Sequence, residues 1–562
     1  MVKNKIMIPN KTIILSVFVF LVGCANQLPP GGGDVDLIPP KIISTYPPNG
    51  SINFDENTIE FEFSEYVDKR SFRDAIFISP SIDKQPEISW SGQSVELTFP
   101  EGLQDDKTYV VTIGTDVVDV NNKNRMANSF SFSFATGEII DTRTISGKVY
   151  GKDIDGTLFF AYKLFDADTS KYLNKKPDYI SQAGKDGNYK LSGLAESKYR
   201  VFAVKDELRD LLYQADQDLI GIPNTDVSLV EYDSNYVGLN FSITKIDTVK
   251  PRLISAAMTD RNHIIVTLSE VCDSTTFNAA NFSIVDSSSQ KILPVGYLYR
   301  NNSKQEEFVL SFTDSINTEN IYYLSAKILT DVSGNIFEND FSSLTTTDKL
   351  DTSSIKVVRT NLGPKNEIDF QNPELIVYFD DAIANKEITN AVQLEDTSKN
   401  KVPFNLKFMD DATVKIKPLK DFKPEKHYVL KIDLSKFTDA SGNSNKKDTL
   451  QITKFSTING VEFTGVSGKV KSSKENIVVV LQDVSDQTKY FTAIPDNTAT
   501  YSVERINAGL YSLWYFVDTN NNKVFDKGYP EPFKFAEEFG IVKDTLKLRP
   551  RWSVTDFDIN IK

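Results

Sequence analysis

The chain has 562 residues, 63 Lys and Arg against 77 Asp and Glu, a formal net charge of −14, two cysteines and two histidines. No stretch concentrates basic residues enough for a nucleic-acid footprint, and an acidic surface repels phosphate. Five methionines, 37 Phe and 23 Tyr, among many Ser, Thr, Asn and Asp, point to short strands and polar turns over four or five domains.

Lys3, Lys5 and Lys11 open the chain, and an apolar run from Thr12 to Val22 follows. That run is too short for a hydrocarbon core, which takes roughly 20 residues, but it suits the h-region of a secretory signal. It ends in Leu21-Val22-Gly23-Cys24, which resembles the lipobox of bacterial lipoproteins. The resemblance implies cleavage between Gly23 and Cys24 and a covalent lipid on the Cys24 thiol; a plain signal peptide or short anchor is the alternative. Residues 24–37, "CANQLPPGGGDVDL", have no hydrophobic periodicity and read as a tether. With Cys24 lipidated, Cys272 is the only free thiol, so no internal disulfide is expected.

Three alternating strands end in acid and a turn: "IEFEFSEYVD" (59–68), "IIVTLSEVCD" (264–273) and "LIVYFDDAIA" (375–384). Each has a matching second half, "YVVTIGTDVVDVNNK", "YYLSAKILTDVSGN" and "YVLKIDLSKFTDASGN", closed by Asp119, Asp331 or Asp439 beside an Asn-rich turn. Period-2 alternation with frequent turn signals reads as β-sandwiches. The pattern resembles the S-layer-type bacterial Ig-like domain, well at 38–137 with "PPKIISTYPPNG" and "FSFSFATG", fairly at 351–458, and more loosely at 248–350, where completeness of the sandwich stays open.

A second repeat follows two of these. "FATGEIIDTRTISGKV" (134–149) and "FSTINGVEFTGVSGKV" (455–470) share Phe-x-Thr and Ser-Gly-Lys-Val at one separation, and Tyr189, Tyr199 and Asp206 match Tyr501, Tyr511 and Asp518 in spacing. This resembles the carboxypeptidase-regulatory, transthyretin-like sandwich. The expected fold is all-β: Ig-like and transthyretin-like sandwiches in tandem, an elongated array of signal 1–23, tether 24–37, Ig-like 38–137, transthyretin-like 138–247, Ig-like 248–350 and 351–458, and transthyretin-like 459–562. The layout is similar to that of Ig-like-domain outer-membrane lipoproteins of Bacteroidetes.

Candidate sites are few. Asp518, Asn520 and Asn522, the Val524 carbonyl and Asp526 have the one-three-five-seven-nine spacing of a calcium loop. However, Lys523 stands where an EF-hand has Gly and Tyr529 where it has Glu, so a bare polar turn is the competing reading. The loop 206–218 keeps its acids without that spacing, and no ion is expected there. Glu65, Glu270 and Asp380 recur at strand ends, where with Asp119, Asp331 or Asp439 they read as polar caps or as a cation site between domains. His263 and His427 are read as surface or strand-edge residues, and Cys272 as a small buried hydrophobe. Thr248, Ser315, Thr449 and Thr545 lie in Asp-Ser/Thr-aliphatic triplets that look like the Bacteroidetes O-glycosylation sequon; an ordinary turn entering a strand is the alternative.

The chain lacks G-x-S-x-G, H-E-x-x-H, Walker and Rossmann patterns. The expectation is a non-enzymatic outer-membrane lipoprotein with no cofactor beyond its lipid, calcium at 518–526 being the alternative to a bare turn, acting as a protein-binding subunit of an outer-membrane complex. Partners of the β-barrel assembly, secretion or transport type follow from the resemblance alone. Glycan capture is the alternative, with Trp90, Trp514 and Trp552 as the available platforms; a hydrolase is the remote one. The first acid after Cys24 is Asp34, which leaves open whether the body faces the cell surface or the periplasm.

Overall fold

A computed structural model of the chain describes residues 36–80, 82, 84–164, 172–230, 235–273, 277–300, 304–314, 316–445 and 449–561. Gly23, Cys24 and Ser315 lie outside the described residues. The chain divides into two compact units, one of Met1–Tyr172, Pro177–Val201 and Asp226–Leu239, the other of Leu173–Lys176, Phe202–Thr225 and Asn240–Lys562. The strand Ser197–Lys205 contributes to both.

The first unit opens with a sandwich. One sheet runs Ile42–Tyr46, Thr58–Phe63, Ser94–Thr98, Glu87–Ser91; the other runs Ile76–Ser79, Thr108–Ile113, Phe130–Ala135. Alternation in "TIEFEF" turns Ile59, Phe61 and Phe63 inward and Glu60 and Glu62 outward. Phe61 meets Phe132 edge to face at 5.3 Å, and Phe63 meets Phe72 at 5.8 Å. Each such ring, fully buried, contributes roughly 1.5–3 kcal/mol. Phe72 reaches the core from a short helix, Lys69–Asp74, whose N-cap Asp68 accepts from the Arg70 and Ser71 N–H groups at 3.0 Å each.

The same unit holds Arg143–Tyr150, paired antiparallel with Asn188–Leu194 and parallel with Asn235–Val237, and the pair Leu158–Leu164 with Tyr179–Gln182. A buried hydrogen bond from Thr115 N to Gln182 Oε1 (2.6 Å) joins the Ig-like sandwich to these strands.

In the second unit, residues 253–345 form one eight-stranded sheet around their own core. Leu253–Met258 pairs antiparallel with His263–Leu268 and parallel with Ile336–Thr345, which stitches the two faces together. Residues 357–457 make two four-stranded sheets, and residues 464–560 a further sandwich whose Thr464–Lys471 pairs antiparallel with Thr500–Ile506 and parallel with Ile559–Asn560. The fold is all-β, as the alternation predicts. Ala536 N donates to Pro223 O at 3.0 Å and Phe202 meets Phe533 edge to face at 6.0 Å, so strand ends of the two Ser-Gly-Lys-Val repeats touch within this unit. Among the described residues no helix is long and apolar enough to cross a membrane.

Candidate functional sites

The three strand-end acids sit in one recurring latch. In each of the three repeats the strand end folds onto the closing Asp through an isolated bridge: Val67 with Asp119, Cys272 with Asp331, Ile383 with Asp439. Counting back from these bridges, Glu65 and Glu270 correspond to Asp381, not to Asp380 as the sequence reading has it. Asp380 takes the place of Ser64 and Ser269: its Oδ1 accepts Lys356 N at 2.7 Å, where the serine Oγ atoms accept Lys41 N (3.1 Å) and Arg252 N (2.9 Å).

The closing Asp is 1% exposed in every copy and is held by N–H groups of its own turn, among them Asn124 N (2.9 Å), Asn335 N (2.7 Å) and Asn443 N (2.7 Å). The same Asn then reaches back to the leader of its repeat. Asn124 Nδ2 donates to Asp36 O at 2.9 Å, Asn335 Nδ2 to Asp247 O at 3.0 Å, and Asn443 Nδ2 to Asp351 Oδ2 at 3.1 Å. The Asp-Asn turn visible in the sequence therefore fastens each leader to its domain.

Carboxylates crowd at these latches. Oxygens of Asp247, Glu270 and Asp331 all lie within 4.8 Å of one another. Burial, then Asp331 and Asp247, push the Glu270 carboxyl above its ordinary pKa; burial, Asp119 and Asp36 do the same to Glu65. In the third copy a histidine enters. His263 is 6% exposed, neither on the surface nor on an edge strand as the sequence suggested, since its strand His263–Leu268 is paired on both sides. Its Nδ1 lies 2.9 Å from Asp260 Oδ1 and its Nε2 3.0 Å from Asp381 Oδ1. Burial disfavours its charge, but the bonds to Asp260 and Asp381 and their charges outweigh that and hold its pKa up at about 10. His427 is exposed on its strand.

The two Ser-Gly-Lys-Val repeats share a second device. Tyr189 and Tyr501 hydroxyls donate to Leu239 O (2.9 Å) and Phe557 O (2.7 Å), and Tyr199 and Tyr511 to Ala195 O (2.7 Å) and Asn507 O (2.9 Å). Asp206 accepts from the N–H groups four and five residues on, at 3.3 and 2.8 Å, and Asp518 does likewise at 3.1 and 2.8 Å. The calcium-spaced residues do converge, bonded to one another: Asn520 Nδ2 and Asn522 Nδ2 face Asp526 Oδ2 at 2.6 and 3.1 Å, and Val524 N donates to Asn522 Oδ1 at 2.7 Å. A cation here needs both amides turned oxygen-inward. Lys523 takes the left-handed conformation (φ 63°) that the EF-hand Gly would take.

The sequence reading misses Glu537. This buried side chain accepts Thr519 N (2.7 Å) and Asp526 N (3.1 Å), closing the loop at both ends. Asp218 does the same work for the 206–218 loop, accepting Glu207 N (2.9 Å) and Gln214 N (2.7 Å).

Thr248 and Thr545 are exposed, whereas Thr449 is half-buried with Oγ1 3.4 Å from Asp433 Oδ1. Cys272 is buried; burial first, then Glu270 and Asp331, raise its thiol pKa to about 11. Trp90 packs on Phe63 and Phe72, Trp514 on Phe516 and Phe525, and Trp552 is 75% exposed.

The family model of the bacterial Ig-like domain matches residues 36–136 and 351–457. Residues 248–350 lie outside that match but carry the same latch. Among solved structures, the chain is similar to the N-terminal part of the bacterial S-layer protein SbsC, at 15% identity over 37% of this chain and 44% of that one, TM-score 0.17. It is also similar to domains 1–6 of SbsC (11%, 91% and 67%, TM-score 0.15) and to BcpA, the major pilin subunit of Bacillus cereus (9%, 75% and 99%, TM-score 0.15). No curated protein matches the chain.

Proposed function

We propose that this multi-domain Ig-like protein is a non-enzymatic lipoprotein, anchored to the outer membrane through Cys24, whose sandwiches form a protein-binding arm of an outer-membrane complex. The observation that carries this reading is the repeated latch. Asn124, Asn335 and Asn443 tie each leader to its own domain, so the entry into every Ig-like repeat is held at a set geometry. Such an arm suits holding partners at fixed positions, and paired strands with free edges offer main-chain hydrogen bonds to them. The reactive side chains support the same reading: Cys272 is packed in a core and His263 is held between two carboxylates.

The test is affinity purification from outer membranes in mild detergent, with the native chain and Cys24→Ala side by side and mass spectrometry of what stays bound. A stoichiometric membrane partner, lost with the anchor, is the expected result. A partnerless lipoprotein overturns the proposal.

A further inference from the structure

The third latch differs from the other two at one atom. Asp119 and Asp331 use both carboxylate oxygens on their own turns: Asp119 on Lys123 N (3.1 Å) and Asn124 N (2.9 Å), Asp331 on Asn335 N (2.7 Å) and Asn335 Nδ2 (2.8 Å). In the 351–457 repeat the Asn443 amide has turned to Asp351 instead. Asp439 Oδ1 keeps Asn443 N, but no donor among the described residues reaches Oδ2. A fully buried anionic oxygen without a donor is strongly disfavoured unless a positive charge meets it.

The surroundings are those of a cation site. A ring nitrogen of His263 and one oxygen each of Asp351 and Asp381 lie within 4.8 Å of one another, Nε2 being 3.0 Å from Asp381 Oδ1. Asp439 is bridged to Ile383, two residues beyond Asp381, and shares Asn443 with Asp351, whose Oδ2 takes the Asn443 amide while Asp439 takes its N–H. Asp260, bonded to Nδ1, leaves Nε2 as the inward atom of the ring. Asp260, Asp351 and Asp381 thus set three carboxylates around a single imidazole, and one imidazolium does not balance them.

We propose that His263, Asp351, Asp381 and Asp439 bind one divalent transition-metal ion, of the zinc class, at the junction of the 248–350 and 351–457 repeats. One imidazole nitrogen with carboxylate oxygens is a zinc-type donor set, whereas calcium takes oxygens alone. Zinc draws such ligands to about 2.0–2.2 Å, which puts them about 3.3 Å apart around the ion, so the present cluster closes by small side-chain movements. Asp260 stands where a carboxylate commonly orients a metal-bound histidine. Binding displaces the Nε2 proton to solvent. The ion ties the strand His263–Leu268 of one repeat to the leader, strand end and closing turn of the next.

The test uses the full-length chain in detergent, stripped with chelator and titrated with Zn²⁺ by calorimetry and with Co²⁺ by visible absorption. The expected result is one equivalent bound with Co²⁺ d–d bands, weakened at least ~10-fold in both His263→Gln and Asp439→Asn. Asp351→Asn, at a half-exposed position, carries the test if either buried variant fails to fold. No uptake by the native chain overturns the proposal, and so does stoichiometric uptake that these substitutions leave unchanged.

Discussion

Replacing Asn335 by alanine removes two hydrogen bonds at once. One runs from Nδ2 to the Asp247 carbonyl (3.0 Å), the other to Asp331 Oδ2 (2.8 Å), and Asp331 is 1% exposed. The Ser333 and Asn335 N–H groups still serve Oδ1, but Oδ2 is left charged, buried and beside Glu270 and Asp247. A bond to a charged group is worth about 1.5–3 kcal/mol and a neutral one about 0.5–1.5, so the substitution costs roughly 2–4 kcal/mol. In a domain of about 100 residues each kcal/mol moves Tm by about 4–8 °C, so the transition of the 248–350 repeat falls by at least ~8 °C. Differential scanning calorimetry of the full chain reads this, and amide exchange along Leu253–Met258 shows whether the loss is local. A shift under ~2 °C with unchanged exchange would refute the idea that the latch carries energy.

Gly468→Ala places a Cβ 2.2 Å from Phe557 O and displaces the parallel strand Ile559–Asn560; a loss of about 1–3 kcal/mol or more is expected by calorimetry, with Gly147→Ala doing the same against Leu239 O. Glu270 has its folded-state pKa raised, so its contribution to stability is present in acid and is lost as pH rises through that value. Glu270→Gln therefore melts higher than the native chain at about pH 7.5 and equal to it at about pH 4, in metal-free buffer; equal melting at both refutes the repulsion. Asp518→Ala unties Asn522 N and Lys523 N from a buried acceptor and costs roughly 2–3 kcal/mol. The loss is the same with calcium as with chelator, because the bonds are to backbone; a loss seen only with calcium would make the residue a ligand first.

The repeats were legible because their periodicity is local. Inward Phe61 and Phe63, the Asp-Asn closures and the paired tyrosines all recur at fixed spacing, and each has a matched structural role. The strand-end register slipped by one in the third copy because Asp380 and Asp381 are adjacent acids, and only the bridge from Ile383 to Asp439 tells which of them is the counterpart of Glu65. His263 alternates with Ile264, which points it away from its own core. What buries it is Asp381 of the next repeat, 118 residues on, and no local pattern carries that. Glu537 was missed for a similar reason: the hairpin of Tyr529–Pro530 and Phe533–Lys534 lies between it and the loop it closes.

The latch also bears on synthesis. Each leader waits for an Asn that lies 88 to 92 positions later in the same repeat. Because the ribosome delivers the N-terminus first, a repeat can close as soon as its own last turn has emerged, before the strands of its near-copy exist to compete for the same partners. Similar neighbouring domains are prone to exchange strands while partly folded. A closure made within each repeat lets three look-alike domains form one after another on a single chain without trading parts.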